Sequence, residues 1–277
     1  VEDYSHLEEE AWEIAHIDLI DEELLKKDRT KALVHVYMSP EENPAEAIAF
    51  LSERYNAEGI PHTISTAACV EEDWINNWKQ YFKPARITDS IVVKPSWETY
   101  EPGEGDRIIE IDPGMAFGTG THPTTKMCIR LLEKYIEKKD DVVLDLGCGS
   151  GILSVAAALC GSEIVRGVDI DPDAAAASLE NAEKNHLSDR IEIRQGDVTE
   201  GLGFSADIIV ANLIADLIIG LSDDIAKHLS GKKIFISSGI LAEKCDKVVS
   251  AISDSGFEVL EILEEEGWCA VAAQLKG

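Results

Sequence analysis

Residues 140–155 read DDVVLDLGCGSGILSV, and three structural instructions follow one another in them. Val142-Val143-Leu144 is an apolar, β-branched run suited to a buried strand. Asp145-Leu146-Gly147-Cys148-Gly149-Ser150-Gly151 is a glycine-rich turn. Ile152 to Leu159 is built from good helix formers. The expected unit is strand, glycine loop, helix. Glycines let a backbone turn tightly and approach a ligand closely, and a helix N-terminus aims amides at whatever sits there.

The nicotinamide and flavin fingerprint is G-x-G-x-x-G. Here the spacing is Gly147-x-Gly149-x-Gly151, and Ile152 stands where the third glycine of that fingerprint would fall. An acidic residue about 20 positions further on holds ribose hydroxyls in such sites. Asp169, closing the short run Val165-Arg166-Gly167-Val168-Asp169, lies at that distance. D-x-G-x-G-x-G followed by V-D resembles the S-adenosylmethionine-binding motifs of class I methyltransferases.

The alternation continues downstream. Strands are expected at Ile164–Asp169, Ile191–Gln195, Ala206–Ala211 and Lys233–Ser237, with helices at Pro172–Asn185, Leu213–Leu229 and Glu243–Ser253. Gly256–Glu264 and Trp268–Gln274 read as a hairpin joined by Glu265-Glu266-Gly267. The expected fold class is α/β, with a mostly parallel sheet and a C-terminal antiparallel hairpin preceded by a small α+β domain, an order that resembles the Rossmann-like class I methyltransferase domain. Ligands of such sheets bind beyond the carboxyl ends of the strands. Gly147 to Gly151, Asp169, Asp197 and Asn212 each end an expected strand. Asp169 is assigned the ribose hydroxyls and Asp197 the adenine edge, with a turn-capping role for Asp197 as the plainer alternative.

Upstream, Lys31–Met38 alternates as a strand, Asn43-Pro44 opens a helix through Tyr55, and His62–Val70 reads as a strand. This is part of an α+β domain, residues 1–70, that looks short of an opening strand and helix. Residues 71–105 are expected as a connecting helix and linker. Glu71–Phe82 carries Trp74, Trp78, Tyr81 and Phe82 along one stripe, either interdomain core or a partner face, and Ile87–Lys94 is a strand. Residues 106–277 form the catalytic domain. It opens with a strand at Ile108–Ile111, then Asp112 to Thr125, DPGMAFGTGTHPTT, with three glycines and four threonines. That composition is costly to order for packing alone and reads as a lid or ligand-gripping loop. It leads into a helix, Thr125–Glu137. His122 has no metal-ligand neighbours in sequence, so a loop hydrogen bond is its expected role and no metal site is assigned.

Composition limits the alternatives. The formal charge is −28, with 53 acidic and 25 basic residues. That opposes the broad basic footprint of direct nucleic acid binding and suits either a basic partner or plain solubility. The six cysteines are scattered without a C-x-x-C pair, as in reduced cytosolic proteins. The longest apolar run, Ala206–Leu221, is interrupted by Asp207, Asn212 and Asp216, so no membrane span is expected. The acidic opening residues do not read as a secretory leader, and a cytoplasmic location is expected.

Methyl transfer from a sulfonium is an in-line displacement that needs donor and acceptor held close and aligned. An amine acceptor must be neutral. A side-chain carbonyl at Asn212 accepts a hydrogen bond from the incoming amine and orients its lone pair. Asn212 is therefore both a catalytic and a cofactor-lining candidate.

Four stretches go beyond this class: IDPGMAFGTGTHPTT at Ile111–Thr125, Asn212-Leu213-Ile214, EEEGWCAV near the end, and DWINNWKQYFKP at Asp73–Pro84. Together they closely resemble the PrmA family, which methylates protein eleven of the large ribosomal subunit on lysine side chains and the N-terminal amine. The resemblance implies that Thr125, Gly147, Asp169 and Asn212 contact S-adenosylmethionine or line its pocket. It also implies that the N-terminal domain recognises the ribosomal protein while the connecting segment lets the domains reorient. The family usually has Asn-Ile-Leu where this chain has Asn-Leu-Ile, a volume-conserving swap. Alternatives are a class I methyltransferase for another amine or small molecule, a nicotinamide-dependent oxidoreductase, and a non-catalytic ribosome-assembly module on the same fold.

Overall fold

The structure is a computed structural model that describes residues 48, 51–52, 55–56, 59–64, 82–112, 120–197 and 205–276. Its backbone divides into two compact units, Val1–Cys69 and Val70–Gly277. In the first unit, Ile48, Leu51, Ser52, Tyr55 and Asn56 are helical. The Ile60 amide closes that helix on Tyr55 O at 2.8 Å. Residues 62–64 are not strand. The strand expected at Lys31–Met38, the rest of the one at His62–Val70 and the tryptophan stripe lie outside the described residues.

The second unit is built on the stretch from Asp140. Val142–Leu146 (β4) is an interior strand of a seven-stranded sheet. Before it come a small sheet, Ala85–Arg86 (β1), Ile91–Lys94 (β2) and Arg107–Glu110 (β3), and the helix Pro123–Tyr135 (α1). The pairing is antiparallel for β1–β2 and parallel for β2–β3. Ile91, Val93 and Ile109 are fully buried in the same core as Met127 and Leu132 of α1. After β4 follow Ile152–Cys160 (α2), Ile164–Asp169 (β5), Pro172–Lys184 (α3), Ile191–Gln195 (β6), Ala206–Asn212 (β7), Ala215–Lys227 (α4) and Leu229–Leu241 (β8). A short 3-10 turn, Ala242–Lys244, leads into Cys245–Asp254 (α5), Phe257–Glu265 (β9) and Trp268–Leu275 (β10).

The sheet order is β6-β5-β4-β7-β8-β10-β9. The chain moves outward from β4 through β5 to β6, then returns to the other side of β4 as β7. That reversal creates the switch point where ligands bind in such sheets. Side chains alternate across the strands, so Val143, Ile208 and Val210 face one core and Leu144, Leu146, Ile209 and Ala211 face the other. Both faces are covered by helices, which is why the central strands read as continuous apolar runs.

Only β10 runs against the others. It pairs antiparallel with both β8 and β9. Its small apolar residues Cys269 to Ala273 are all fully buried, whereas β9 carries Glu258, Glu261, Glu264 and Glu265 among its apolar residues and takes the exposed edge, where charge discourages further pairing. The turn between them places Glu266 and Gly267 at φ 50° and 78°, the primed geometry that a two-residue hairpin needs.

Several boundaries differ from the sequence reading, three of them instructively. The strand expected over Ile87–Lys94 is confined to Ile91–Lys94. β8 begins at Leu229, not Lys233, because Leu229 pairs with Ala206 before a register shift brings Ile234 opposite Ile208. α4 begins at Ala215, not Leu213, because the Leu213 amide still donates to Ser238 O at 3.0 Å as a continuation of the sheet. Among the described residues no helix is long and apolar enough to cross a membrane.

Candidate active site

The glycine loop leaves β4 still paired with its neighbour: the Gly147 and Cys148 amides both donate to Val168 O, at 2.8 and 3.1 Å. Gly147, Gly149 and Gly151 take φ values of 68°, 56° and 78°, a region other residues enter only at a cost of about 1–2 kcal/mol. Contact adds to that constraint. A Cβ on Gly151 would stand 2.9 Å from the Ser178 backbone, and one on Gly147 would stand 2.6 Å from Leu213 Cδ2. Gly151 is the N-cap of α2 and supplies no side-chain cap.

Asp169 closes β5 half-buried. Its Oδ2 accepts from the Gly149 amide at 2.8 Å and its Oδ1 from the Asp171 amide at 3.0 Å. The carboxylate thus shapes the glycine loop, and each oxygen keeps a further lone pair for a ligand hydroxyl. Asp197 lies one residue past Gly196, whose amide donates to Asp169 O at 2.8 Å, and its side chain is exposed. Large apolar side chains are also exposed beside this edge, Ile170 by 70% and Ile214 by 63%.

On the other side of the switch point, Asn212 ends β7 and shares the face of Ile208 and Val210, toward α1. Its Nδ2 donates to Thr125 Oγ1 at 3.4 Å, a bond that leaves the amide carbonyl end unengaged among the described residues. Thr125 is fully buried in the first turn of α1. His122 is the N-cap of that helix: Nδ1 lies 2.8 Å from Thr124 Oγ1 and accepts from the Thr124 amide at 3.4 Å. Its ring stands edge-on to Trp268 with centroids 5.0 Å apart. The loop hydrogen bond expected of His122 is what the structure shows. Of the threonine-rich loop, residues 113–119 lie outside the described residues.

The structure thus brings Gly147–Gly151 together with Asp169, and Thr125 together with Asn212, around the ends of β4, β5 and β7. Sequence reasoning missed the polar face of α3. Ser178 Oγ donates to Gly149 O at 2.8 Å, and Asn181 Nδ2 donates to Ser150 O at 2.9 Å. Ser178, Asn181 and Asn185 recur at helical spacing in an otherwise Ala-rich segment, and that period was the available signal.

Asp145 was also passed over. It is buried on the face of Val143, and Ser154 Oγ donates to its Oδ2 at 2.7 Å. Its Oδ1 has no partner among the described residues. Burial pushes its carboxyl up to about 7; the Ser154 hydrogen bonds partly oppose the shift, and the nearby Asp169 charge adds to it. The same burial raises the thiol of Cys148 to about 12 and that of Cys128 further still, so these thiols stay protonated and unreactive. The folded state binds the Asp145 proton more tightly than the unfolded chain does. Its stabilising effect is therefore complete below the unfolded value of about 4 and is lost as pH rises through about 7. The melting temperature of the protein, relative to that of Asp145→Asn, should fall between about pH 4 and about pH 7. A difference that stays constant across that range would show that Asp145 does not titrate there.

Comparison with known proteins finds relatives over nearly the whole chain. The family model described as Ribosomal protein L11 methyltransferase (PrmA) matches residues 2–276. A Ribosomal protein L11 methyltransferase of Clostridium botulinum (strain Eklund 17B / Type B) is 44% identical over 265 residues, covering 94% of this chain and 84% of its own. One from Heliobacterium modesticaldum is 41% identical over 276 residues, covering 99% of this chain and 86% of its own. The crystal structure of a ribosomal protein L11 methylase from Lactobacillus delbrueckii subsp. bulgaricus superposes with a TM-score of 0.66 at 29% identity, over 70% of this chain and 100% of that one. With the family model matched over nearly the whole chain and relatives at 41–44% identity, the chain belongs to the ribosomal protein L11 methyltransferase family.

Proposed function

We propose that this protein transfers methyl groups from S-adenosylmethionine to amines, lysine side chains and the N-terminal amine, of a basic large-subunit ribosomal protein. Family membership carries the protein methyltransferase class. The observation that carries amine chemistry is Asn212: its amide is tied to Thr125 through nitrogen, at 3.4 Å, so its carbonyl is the end left to meet an acceptor.

The residues present fit the donor. Asp169 retains acceptor capacity for ribose hydroxyls, the exposed faces of Ile170 and Ile214 suit a flat base, and the glycine loop admits close approach. When bound, S-adenosylmethionine supplies an electrophilic methyl on a positively charged sulfur. The protein's own part is positioning. The Asn212 carbonyl accepts a hydrogen bond from the neutral amine and points its lone pair at the methyl carbon. A Lys amine loses its proton more readily as water is excluded, because desolvation disfavours the charged form. No side-chain base is assigned, and the proton released after transfer goes to solvent.

Residues 1–70 are assigned to recognition of the ribosomal protein, residues 71–105 to reorientation, and residues 106–277 to catalysis. The −28 charge favours a basic protein over nucleic acid as partner. The scattered cysteines suit the cytoplasm.

The deciding experiment mixes the chain, S-adenosylmethionine and the isolated ribosomal protein, and follows mass. Gains in single-methyl steps, mapped to lysines or the N-terminus, are expected. Cofactor binding without any gain would remove the amine substrate reading. Within the site, Asp169→Ala should weaken cofactor binding by about 10–100-fold, because it removes the ribose acceptor and releases the Gly149 amide. Calorimetric titration checks this, and an unchanged dissociation constant would take Asp169 out of the pocket.

A further inference from the structure

The geometry points to Ser178 and Asn181, on one face of α3, as positioning residues that set the peptide planes of the glycine loop for cofactor binding. Ser178 Oγ holds Gly149 O at 2.8 Å, and Asn181 Nδ2 holds Ser150 O at 2.9 Å. In a planar trans peptide the N–H points opposite to the carbonyl. Holding these two carbonyls toward α3 therefore fixes both peptide planes, and the Gly151 amide, on the far side of the plane from Ser150 O, closes the loop on Cys148 O at 2.8 Å.

Asn181 does more than cap a loop. It is fully buried. Its Oδ1 accepts from the Asp112 amide at 3.0 Å, and its Nδ2 also reaches Asp112 O at 3.2 Å. One amide thereby joins the end of β3 to the glycine loop and sets the spacing between them. Asn185, one turn further along α3, repeats the gesture on β3 alone: Oδ1 accepts from the Glu110 amide at 2.9 Å and Nδ2 donates to Glu110 O at 2.7 Å. Asn185 makes no bond to the glycine loop, although its Nδ2 also reaches Asn181 O at 2.7 Å. The two asparagines are chemically alike and similarly placed, and they differ in whether they touch the loop. That difference separates a positioning role from a structural one.

The inference rests on the reading of the glycine loop as the cofactor site. The test compares Asn181→Ala, Ser178→Ala and Asn185→Ala in the full chain by melting temperature, by amide hydrogen exchange over residues 147–151 without ligand, and by calorimetry with S-adenosylmethionine. Asn181→Ala should speed loop exchange and weaken cofactor binding about tenfold. Asn185→Ala should lower the melting temperature while keeping the dissociation constant within about twofold. Ser178→Ala, which puts a better helix former in α3 and so keeps the helix, should share the exchange and affinity changes if Asn181→Ala does not fold. Equal affinity losses in the Asn181 and Asn185 variants, or unchanged affinity in both loop-contacting variants, would overturn the inference alone. Absence of cofactor binding by the unaltered protein would overturn the site reading, and the inference with it.

Discussion

Replacing Asn212 by alanine is expected to lower kcat about 100-fold while leaving the dissociation constant for S-adenosylmethionine within about threefold, because misplacing an acceptor nucleus by an ångström costs on that order. The residue stands at the end of β7 facing α1, and its visible bond runs through Nδ2 to Thr125 at 3.4 Å. That bond is long and adds little binding energy, so its loss should disturb the pocket only slightly. The carbonyl carries the larger consequence. Without it an incoming amine keeps its place in the cleft but loses the contact that aims its lone pair, so turnover falls and binding does not. Asn212→Asp is a useful companion, since it keeps an acceptor oxygen while favouring the protonated amine. Single-turnover rates paired with calorimetry separate the two effects. Equal losses of turnover and cofactor affinity in Asn212→Ala would return the residue to cofactor binding alone.

Gly239→Ala is expected to destabilise the catalytic unit by about 3 kcal/mol or more, through strain at a special backbone position combined with a steric clash. Gly239 has φ 83°, and an added Cβ would fall on Leu213 O and 2.8 Å from its carbonyl carbon. Those atoms are backbone, pinned by the bond from the Leu213 amide to Ser238 O at 3.0 Å, so they cannot swing aside as a side-chain tip would. Gly105→Ala is the control. Its φ is 84°, almost the same, and nothing lies within 4 Å of the added carbon. It should cost only the conformational term, about 1–2 kcal/mol. For a domain of this size the Gly239 variant should melt roughly 6–12 °C lower than the native protein. Equal shifts in the two variants would show that the Leu213 backbone yields. Because Leu213 directly follows Asn212 and its side chain lies under Gly147, a variant that survives should also bind cofactor less tightly.

The elements that carry chemistry were readable because their signals are local. Three glycines at alternate positions impose positive φ wherever the chain goes, and Asp169 ends a β-branched strand whose period needs no partner to be seen. The strands Ile164–Asp169 and Ile191–Gln195 match the sequence reading residue for residue, since the first is a short apolar-rich run and the second begins by alternating Ile with charged residues, each between turn residues. The reading of β8 fell short for the opposite reason. Ser230 to Lys233 is polar and glycine-bearing, and it joins the strand because the neighbouring Ala206 offers hydrogen bonds to Leu229, a fact of the neighbour and not of the segment. The Ala-rich reading of α3 likewise hid Asn181 and Ser178, whose roles exist only once Ser150, Gly149 and Asp112 arrive from 31, 29 and 69 residues away.

By itself, then, the sequence determined the strand–loop–helix unit, the parallel alternation with its closing hairpin, and the family through the loop at Ile111–Thr125. The first two follow from backbone preferences and hydrophobic period, which act over a few residues, and the third is a resemblance carried by the residues of that loop. Tertiary structure alone decided that β10 inserts between β8 and β9, that Thr125 meets Asn212, that Asp145 lies buried with one oxygen unpartnered among the described residues, and that Ser178 and Asn181 of α3 bond to the carbonyls of the glycine loop. Those outcomes depend on which surfaces exclude water together and which buried polar groups then find partners, and neither condition exists until distant segments have packed.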